Sequence, residues 1–352
     1  MNLGIKMGSL IISCSNPKLG ALVKTFNSYW NLGGYHSYRD NRDANSIDEE
    51  NAIALSAAKN MVNLSRAELS HNHFGSQILD NLQNYPNLVD LRVCGFRPQD
   101  HMWGQAPVSL KKINWNMPRE SMNHRELGPE SYNAWDSAQL LIDVAATTCP
   151  GLESLGIIIT HREDGAPGTS PPSTNAAQQY QSIIPNTSRL PSLKHFSFHY
   201  NDYEYQNREK ANLDMIDFIS KHPHITSLSI DLGSVNGSRR EPDLLEVCRM
   251  LPNLKVISLS SSHAATEQAA LDFWSSITKG LASPAYEIES LSVRDLCCSF
   301  SPQLGSFFQS WKSLKSLRVG DKDNEYSAYG SDGRPQFKKY APVCLLFPFE
   351  LS

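Results

Sequence analysis

Leu251-Pro252-Asn253-Leu254-Lys255-Val256-Ile257-Ser258-Leu259 is the stretch from which the rest of the chain can be read. Its last six residues follow the pattern Leu-x-x-Leu-x-Leu, with isoleucine in the middle place. In an extended segment Ile257 and Leu259 share one side, while Val256 and Ser258 point to the other. That describes one short strand with a single face to bury. Outward from this stretch the same phrase recurs, with Ile, Val, Phe or Trp allowed at its apolar places. It starts at Leu64 (degenerate, with Ala67 and Leu69), Leu88, Leu110, Leu152, Leu193, Ile225, Leu254, Ile288 and Leu314. First positions lie between 22 residues apart (Leu88 to Leu110) and 42 (Leu110 to Leu152), an irregular but bounded period.

In five phrases a proline precedes the first apolar residue by two places: Pro86, Pro150, Pro191, Pro223 and Pro252. Proline lacks a backbone donor and disfavours helix in the residue before it, so each marks where a helix stops and an extended segment begins. Three buried side chains per phrase, at roughly 1.5 to 3 kcal/mol each, do not offset the ordering cost of some thirty residues. A unit is therefore stable only when stacked on its neighbours. Between the phrases, Ala134 to Thr148, Ala211 to Lys221, Pro242 to Met250, Ala265 to Gly280 and Pro302 to Trp311 read as helices. Leu213, Ile216 and Ile219 give the second of these an apolar stripe, and Ser301-Pro302 is a good helix start. Strand then helix, repeated, predicts an α/β solenoid with right-handed crossovers, parallel strands on the concave side and helices on the convex side. Leu91, Leu155, Leu228 and Leu317 would share one apolar spine.

The phrase and its Pro-x-Leu lead-in resemble the leucine-rich repeats of F-box proteins, especially fungal members. Tyr85-Pro86-Asn87-Leu88-Val89-Asp90-Leu91-Arg92-Val93 and Cys149-Pro150-Gly151-Leu152-Glu153-Ser154-Leu155 carry the likeness along with the stretch quoted first. Asn16 to Phe26 looks like the first repeat that follows an F-box. The resemblance spans roughly residues 16 to 320 and implies a leucine-rich-repeat horseshoe that serves as a protein-interaction scaffold. It further implies the substrate-recognition region of an SCF-type ubiquitin ligase receptor, cytoplasmic or nuclear. The F-box itself has no counterpart ahead of Asn16, so a Skp-type adaptor is expected as a partner only if an F-box lies upstream, and this chain alone is expected not to retain it. The domain expectation is one solenoid over 1–320, with insertions on one rim at about 31–51, 97–136, 161–189 and 201–210. A polar loop and an apolar tail follow at 321–352, a cap over the last repeat or a disordered end.

On such a scaffold the outward strand residues form the concave face. One row reads Arg66, Asp90, Lys112, Ser154, His195, Ser227, Val256, Ser290 and Ser316; the next reads Glu68, Arg92, Asn114, Gly156, Ser197, Ser229, Ser258, Ser292 and Arg318. The middle is small and hydroxylated, and charge gathers on the N-terminal strands. The rim insertions carry the aromatic residues Tyr35, Tyr38, His101, Trp103, Tyr132, Tyr203 and Tyr205, the side chains that anchor interfaces. A protein partner is therefore expected on Arg66, Arg92, Lys112, Trp103, His195, Tyr203 and Tyr205. Loop disorder competes with that reading for Gly165 to Thr174, which is rich in Gly, Pro and Ser.

No GxSxG elbow, phosphate loop, GxGxxG or HExxH occurs, so catalysis is not expected, nor is a cofactor or a metal. His71 with His73, and His195 with His199, lack an acidic or cysteine partner at ligand spacing. Cys297-Cys298 reads as core packing, and Asp48-Glu49-Glu50 as solvated charge or a helix start. Two other readings remain open: an enzyme with a His-centred site in the rim loops, and a truncated, non-functional fragment that would melt without cooperativity.

Composition agrees with a folded chain. Apolar residues make up 40% and charged residues 19% of the 352, which excludes global disorder. The net charge of −4, with no long basic run, argues against nucleic acid as a partner. Seven scattered cysteines without a CxxC pair suit a reducing compartment and buried thiols. No apolar run reaches the roughly 18 residues needed to cross a bilayer, so no membrane is expected. Leu10-Ile11-Ile12 is too short an apolar core for a secretory signal. Three Asn-x-Ser/Thr triplets, at Asn63, Asn186 and Asn236, carry little weight without one.

Overall fold

The structure, a computed structural model, describes residues 13–27, 52–53, 55–70, 73–96, 109–116, 134–160, 189–201, 215–231, 234–235, 244–260, 263–264, 287–294 and 313–320. The chain divides into two compact units, Met1–Leu193 and Lys194–Ser352. The phrases predict a single run over 1–320; the boundary between the units falls within the phrase that begins at Leu193. The tail 321–352, the insertion 31–51, all but the last residue of the insertion 161–189, and the expected helices 265–280 and 302–311 lie outside the described residues.

In unit 1, five strands follow one another in space as in sequence: β1 (Thr25–Asn27), β2 (Arg66–Ser70), β3 (Asp90–Cys94), β4 (Lys112–Asn116) and β5 (Ser154–Thr160). Every pairing is parallel and in the register the phrases demand. Leu91 lies against Ala67 on one side and Ile113 on the other, and Leu155 lies against Ile113. In unit 2, β6 (His195–Asn201), β7 (Ser227–Asp231), β9 (Val256–Ser260), β11 (Ser290–Arg294) and β12 (Ser316–Gly320) do the same. There Phe196, Leu228, Ile257, Leu291 and Leu317 are successive partners. Two two-residue strands, β8 (Ser234–Val235) and β10 (His263–Ala264), pair separately. The architecture is thus α/β with open, all-parallel pairing rather than a closed barrel. Leu91, Leu155 and Leu228 are each 0% exposed, as the predicted spine requires.

The proline ahead of five of the phrases has a more specific role than stopping a helix. The amides of Leu88, Leu152, Leu193, Ile225 and Leu254 donate to the carbonyls of Tyr85, Cys149, Leu190, His222 and Leu251 at 3.0 to 3.1 Å. Each proline is the second residue of a four-residue turn, where its fixed φ is already correct and its missing N–H is not needed. The first residue of each of these turns is buried, as is Met61, which opens a proline-free turn closed by the Leu64 amide on its carbonyl at 3.0 Å. After the turn, one carbonyl accepts two amides of the next unit. Lys24 receives Ser65 and Arg66, Val89 receives Lys111 and Lys112, and Thr226 receives Lys255 and Val256, all at 2.8 to 3.1 Å. Side chains repeat the tie: Asn63 Nδ2 donates to the Ala21 carbonyl at 2.8 Å, and Ser192 Oγ to that of Pro150 at 3.0 Å.

Helices return the chain between strands and cover the apolar side. They include α1 (Pro17–Gly20), α2 (His73–Leu79), α3 (Ala134–Thr148) and α4 (Leu244–Met250), with helical residues 55–60 and 215–220 besides. The α3 boundaries match the sequence expectation, and α4 lies within the expected 242–250. The inward ring of Phe196 meets Phe218 of helix 215–220 with centroids 4.6 Å apart. His73 opens α2, and one expectation is corrected: the insertion placed at 97–136 contains β4 and the first turn of α3.

Tyr85 ties the first layer of unit 1 together. Its hydroxyl donates to the Ala58 carbonyl at 2.8 Å, and burial holds the phenol protonated well above its ordinary range. Because the folded state keeps this proton to higher pH than the unfolded chain does, the stabilisation is complete below about pH 10 and falls as pH rises beyond it. Urea titrations should show unit 1 weakening between about pH 10 and 12. Tyr85→Phe should be about 1 kcal/mol less stable at neutral pH and lose that share of the alkaline decline.

Candidate functional site

Since the apolar members of each strand point to the helices, the alternate residues form a second, polar face, and the register aligns them in rows. In unit 1 the first row is Arg66, Asp90, Lys112, Ser154 and the second Glu68, Arg92, Asn114, Gly156. Ala67, Leu69, Leu91, Val93, Ile113, Trp115, Leu155 and Ile157, between them in sequence, are all buried. Asp90 lies 3.6 Å from Arg66 Nε and 3.8 Å from Arg92 Nε. Glu68 accepts from Asn27 Nδ2 at 3.2 Å. Lys112 is exposed, and neither its ammonium nor the Asn114 carboxamide has a partner among the described residues. Beside Asn114 the fifth strand has Gly156, where an added Cβ would come within 3.2 Å of the Asn114 side chain. The carboxamide therefore lies close over Gly156, and a side chain there would require it to shift by a few tenths of an ångström.

In unit 2 the corresponding rows are His195, Ser227, Val256, Ser290, Ser316 and Ser197, Ser229, Ser258, Ser292, Arg318. His199 continues the same face of β6. Its Nε2 is 3.1 Å from Ser229 Oγ and its Nδ1 is 3.3 Å from Ser260 Oγ. One ring nitrogen donates and the other accepts, so the imidazole clamps β7 and β9 to β6. Ahead of the strands, Glu289 bridges Lys315 at 3.0 Å and Lys255 at 3.1 Å. The hydrogen bonds and charges of Lys315 and Lys255 hold its carboxyl below the usual range. Lys111 and Glu153 form a similar pair at 3.4 Å in unit 1.

Of the residues singled out from sequence, Arg66, Arg92 and Lys112 come together on three adjacent strands, and His195 stands exposed on β6 in unit 2. Trp103, Tyr203 and Tyr205 lie outside the described residues, as do Tyr35, Tyr38, His101 and Tyr132. His195 and His199, the histidine pair noted in the sequence, stand on a strand, and the rim insertions lie largely outside the described residues. Among the described residues no group of three His, Cys, Asp or Glu could hold a metal ion. Cys14, Cys149 and Cys248 are buried free thiols and Cys94 is half-buried. Burial pushes the Cys14 and Cys149 thiols up, which makes them poor nucleophiles. Sequence reasoning missed the His199 clamp and the Asn114–Gly156 contact. Alternation along β6 already put His199 on the face with His195 and Ser197, and that was the available signal.

No helix among the described residues is long and apolar enough to cross a membrane. No protein-family model matches the chain, and no curated protein matches it in sequence.

Proposed function

We propose that this chain is a protein-interaction scaffold, a leucine-rich-repeat solenoid whose strands line a concave docking face and whose helices cover the convex side. The observation that carries the reading is the register. Residues at the same place in the phrase stand in the same row on successive strands, with their neighbours buried, so each unit presents a fixed polar surface. A fixed surface costs little ordering entropy on docking. Within this reading the chain serves as the substrate-recognition region of an SCF-type ubiquitin ligase receptor, in cytoplasm or nucleus, without nucleic acid, membrane or cofactor.

Photo-crosslinking tests it. A benzoylphenylalanine replacing Ser154 or Ser258, one on each unit's face, should form discrete adducts with the same protein partner in cells. The same group replacing Lys59, an exposed residue of helix 55–60, should not. Equal adducts from both sides would overturn the docking face. If the partner is a ubiquitylation substrate, its lifetime lengthens when the chain is removed; an unchanged lifetime eliminates the receptor role and leaves the scaffold.

A further inference from the structure

The polar face of unit 1 is dense in charged side chains where the rows of unit 2 are mostly serine. Asp90 stands in the first row between Arg66 and Lys112, with Arg92 two residues along its own strand. Three cations thus share these rows with two carboxylates, Asp90 and Glu68, the second of which accepts from Asn27. The arginine contacts, at 3.6 and 3.8 Å, exceed hydrogen-bond length, and the two arginine side chains remain 43% and 46% exposed. Lys112 has no counter-ion among the described residues. Two residues beyond it, the exposed Asn114 carboxamide offers a donor and an acceptor side by side. Gly156 leaves the ground next to it free of side chain.

We propose that this patch binds an extended acidic peptide segment of a protein partner. Its carboxylates pair with Arg66, Arg92 and Lys112, and its main-chain amide pairs with the Asn114 carboxamide. This rests on the scaffold reading and names the partner's chemistry. Arg66 and Lys112 are two strand spacings apart, about 10 Å, which is the reach of three extended residues. In a polyproline-II-like extended segment residues three apart share a face about 9 Å apart, so carboxylates at every third residue match Arg66 and Lys112, with Arg92 on the strand between them adding its charge. Glu68 and Asp90 stand within the same rows and would repel the continuous charge of a nucleic-acid backbone. A peptide with discrete carboxylates passes between them.

The probe is a fluorescein-labelled peptide in which glutamates alternate with pairs of glycines, titrated into the full chain by fluorescence polarisation. A glutamine version controls for charge. The glutamate peptide should bind saturably and weaken with salt, and the glutamine peptide should not bind. Arg92→Glu with Lys112→Glu should weaken binding by about tenfold or more, and Arg92→Lys with Lys112→Arg should retain it. Asn114→Ala should cost about threefold with the salt dependence unchanged. Each variant's thermal melt must match that of the parent. Equal binding of the glutamine peptide, or no effect of charge reversal, would overturn the proposal. So would a single-stranded oligonucleotide that binds more tightly and is lost with the same variants. If the peptide fails while face-specific crosslinks persist, the acidic-partner inference falls and the scaffold stands; loss of both removes both.

Discussion

Trp115→Ala should unfold much of unit 1, shifting urea denaturation by about 3 to 5 kcal/mol out of a total of about 5 to 15 for a domain. Trp115 is 0% exposed on β4 and is among the largest fully buried side chains. Its indole Nε1 also donates to the Phe96 carbonyl at 2.9 Å. Gly95, at φ 80°, makes that bond possible: the left-handed turn after β3 carries Phe96 inward, to 2% exposure. Truncation thus opens a cavity and removes the indole's hydrogen bond to the Phe96 carbonyl together. Trp115→Phe keeps most of the volume and isolates the second loss, about 1 to 3 kcal/mol. Far-UV circular dichroism reads both variants. A shift below about 1 kcal/mol for the alanine variant would mean that β4 is not packed between its neighbours as described.

His222→Ala should cost unit 2 about 2 to 4 kcal/mol, whereas His222→Leu should cost about 1 to 2. This turn position holds Met61, Tyr85, Cys149, Leu190 and Leu251 elsewhere, so an apolar side chain of similar size belongs there. His222 is 0% exposed, stacks on Phe218 with ring centroids 4.2 Å apart, and donates from Nδ1 to the Phe218 carbonyl at 2.7 Å. That carbonyl belongs to the last turn of helix 215–220, where acceptors lack intrahelical partners. Leucine restores the packing but removes the shorter of two hydrogen bonds to that carbonyl, which keeps the Lys221 amide at 3.2 Å; alanine loses the packing as well. Hydrogen exchange should show amides of residues 215–220 opening more in both variants, and an unchanged rate in the leucine variant would deny the capping role.

The strands were legible because two alternating side chains and one lead-in leucine suffice to fix both face and register, and the pairing of Leu91, Ile113 and Leu155 follows that reading residue by residue. Helix α3 was legible for the same reason, its apolar residues recurring over 15 positions. The seven residues of α2 were not. Gly75 and Ser76 give it poor helical propensity, and the reason for the glycine lies elsewhere in the fold: a Cβ there would come within 2.6 Å of the Ser70 carbonyl. The cations of the site were visible as outward residues, and the rows already set Asp90 beside Arg66; its contact with Arg92, two residues along the same strand, depends on side-chain conformation that the pattern does not carry. His199 escaped for the same reason, its serines lying 30 and 61 residues away.

The turn and the doubly accepting carbonyl that open each strand have a consequence for how such a chain varies in length. Both are made by residues immediately next to the strand, so whatever lies upstream has no say in where pairing begins. Every repeat sets its own phase afresh, and residues gained or lost between two of them are not carried forward as a slip. The uneven spacing of the phrases is thus a tolerance the backbone itself confers.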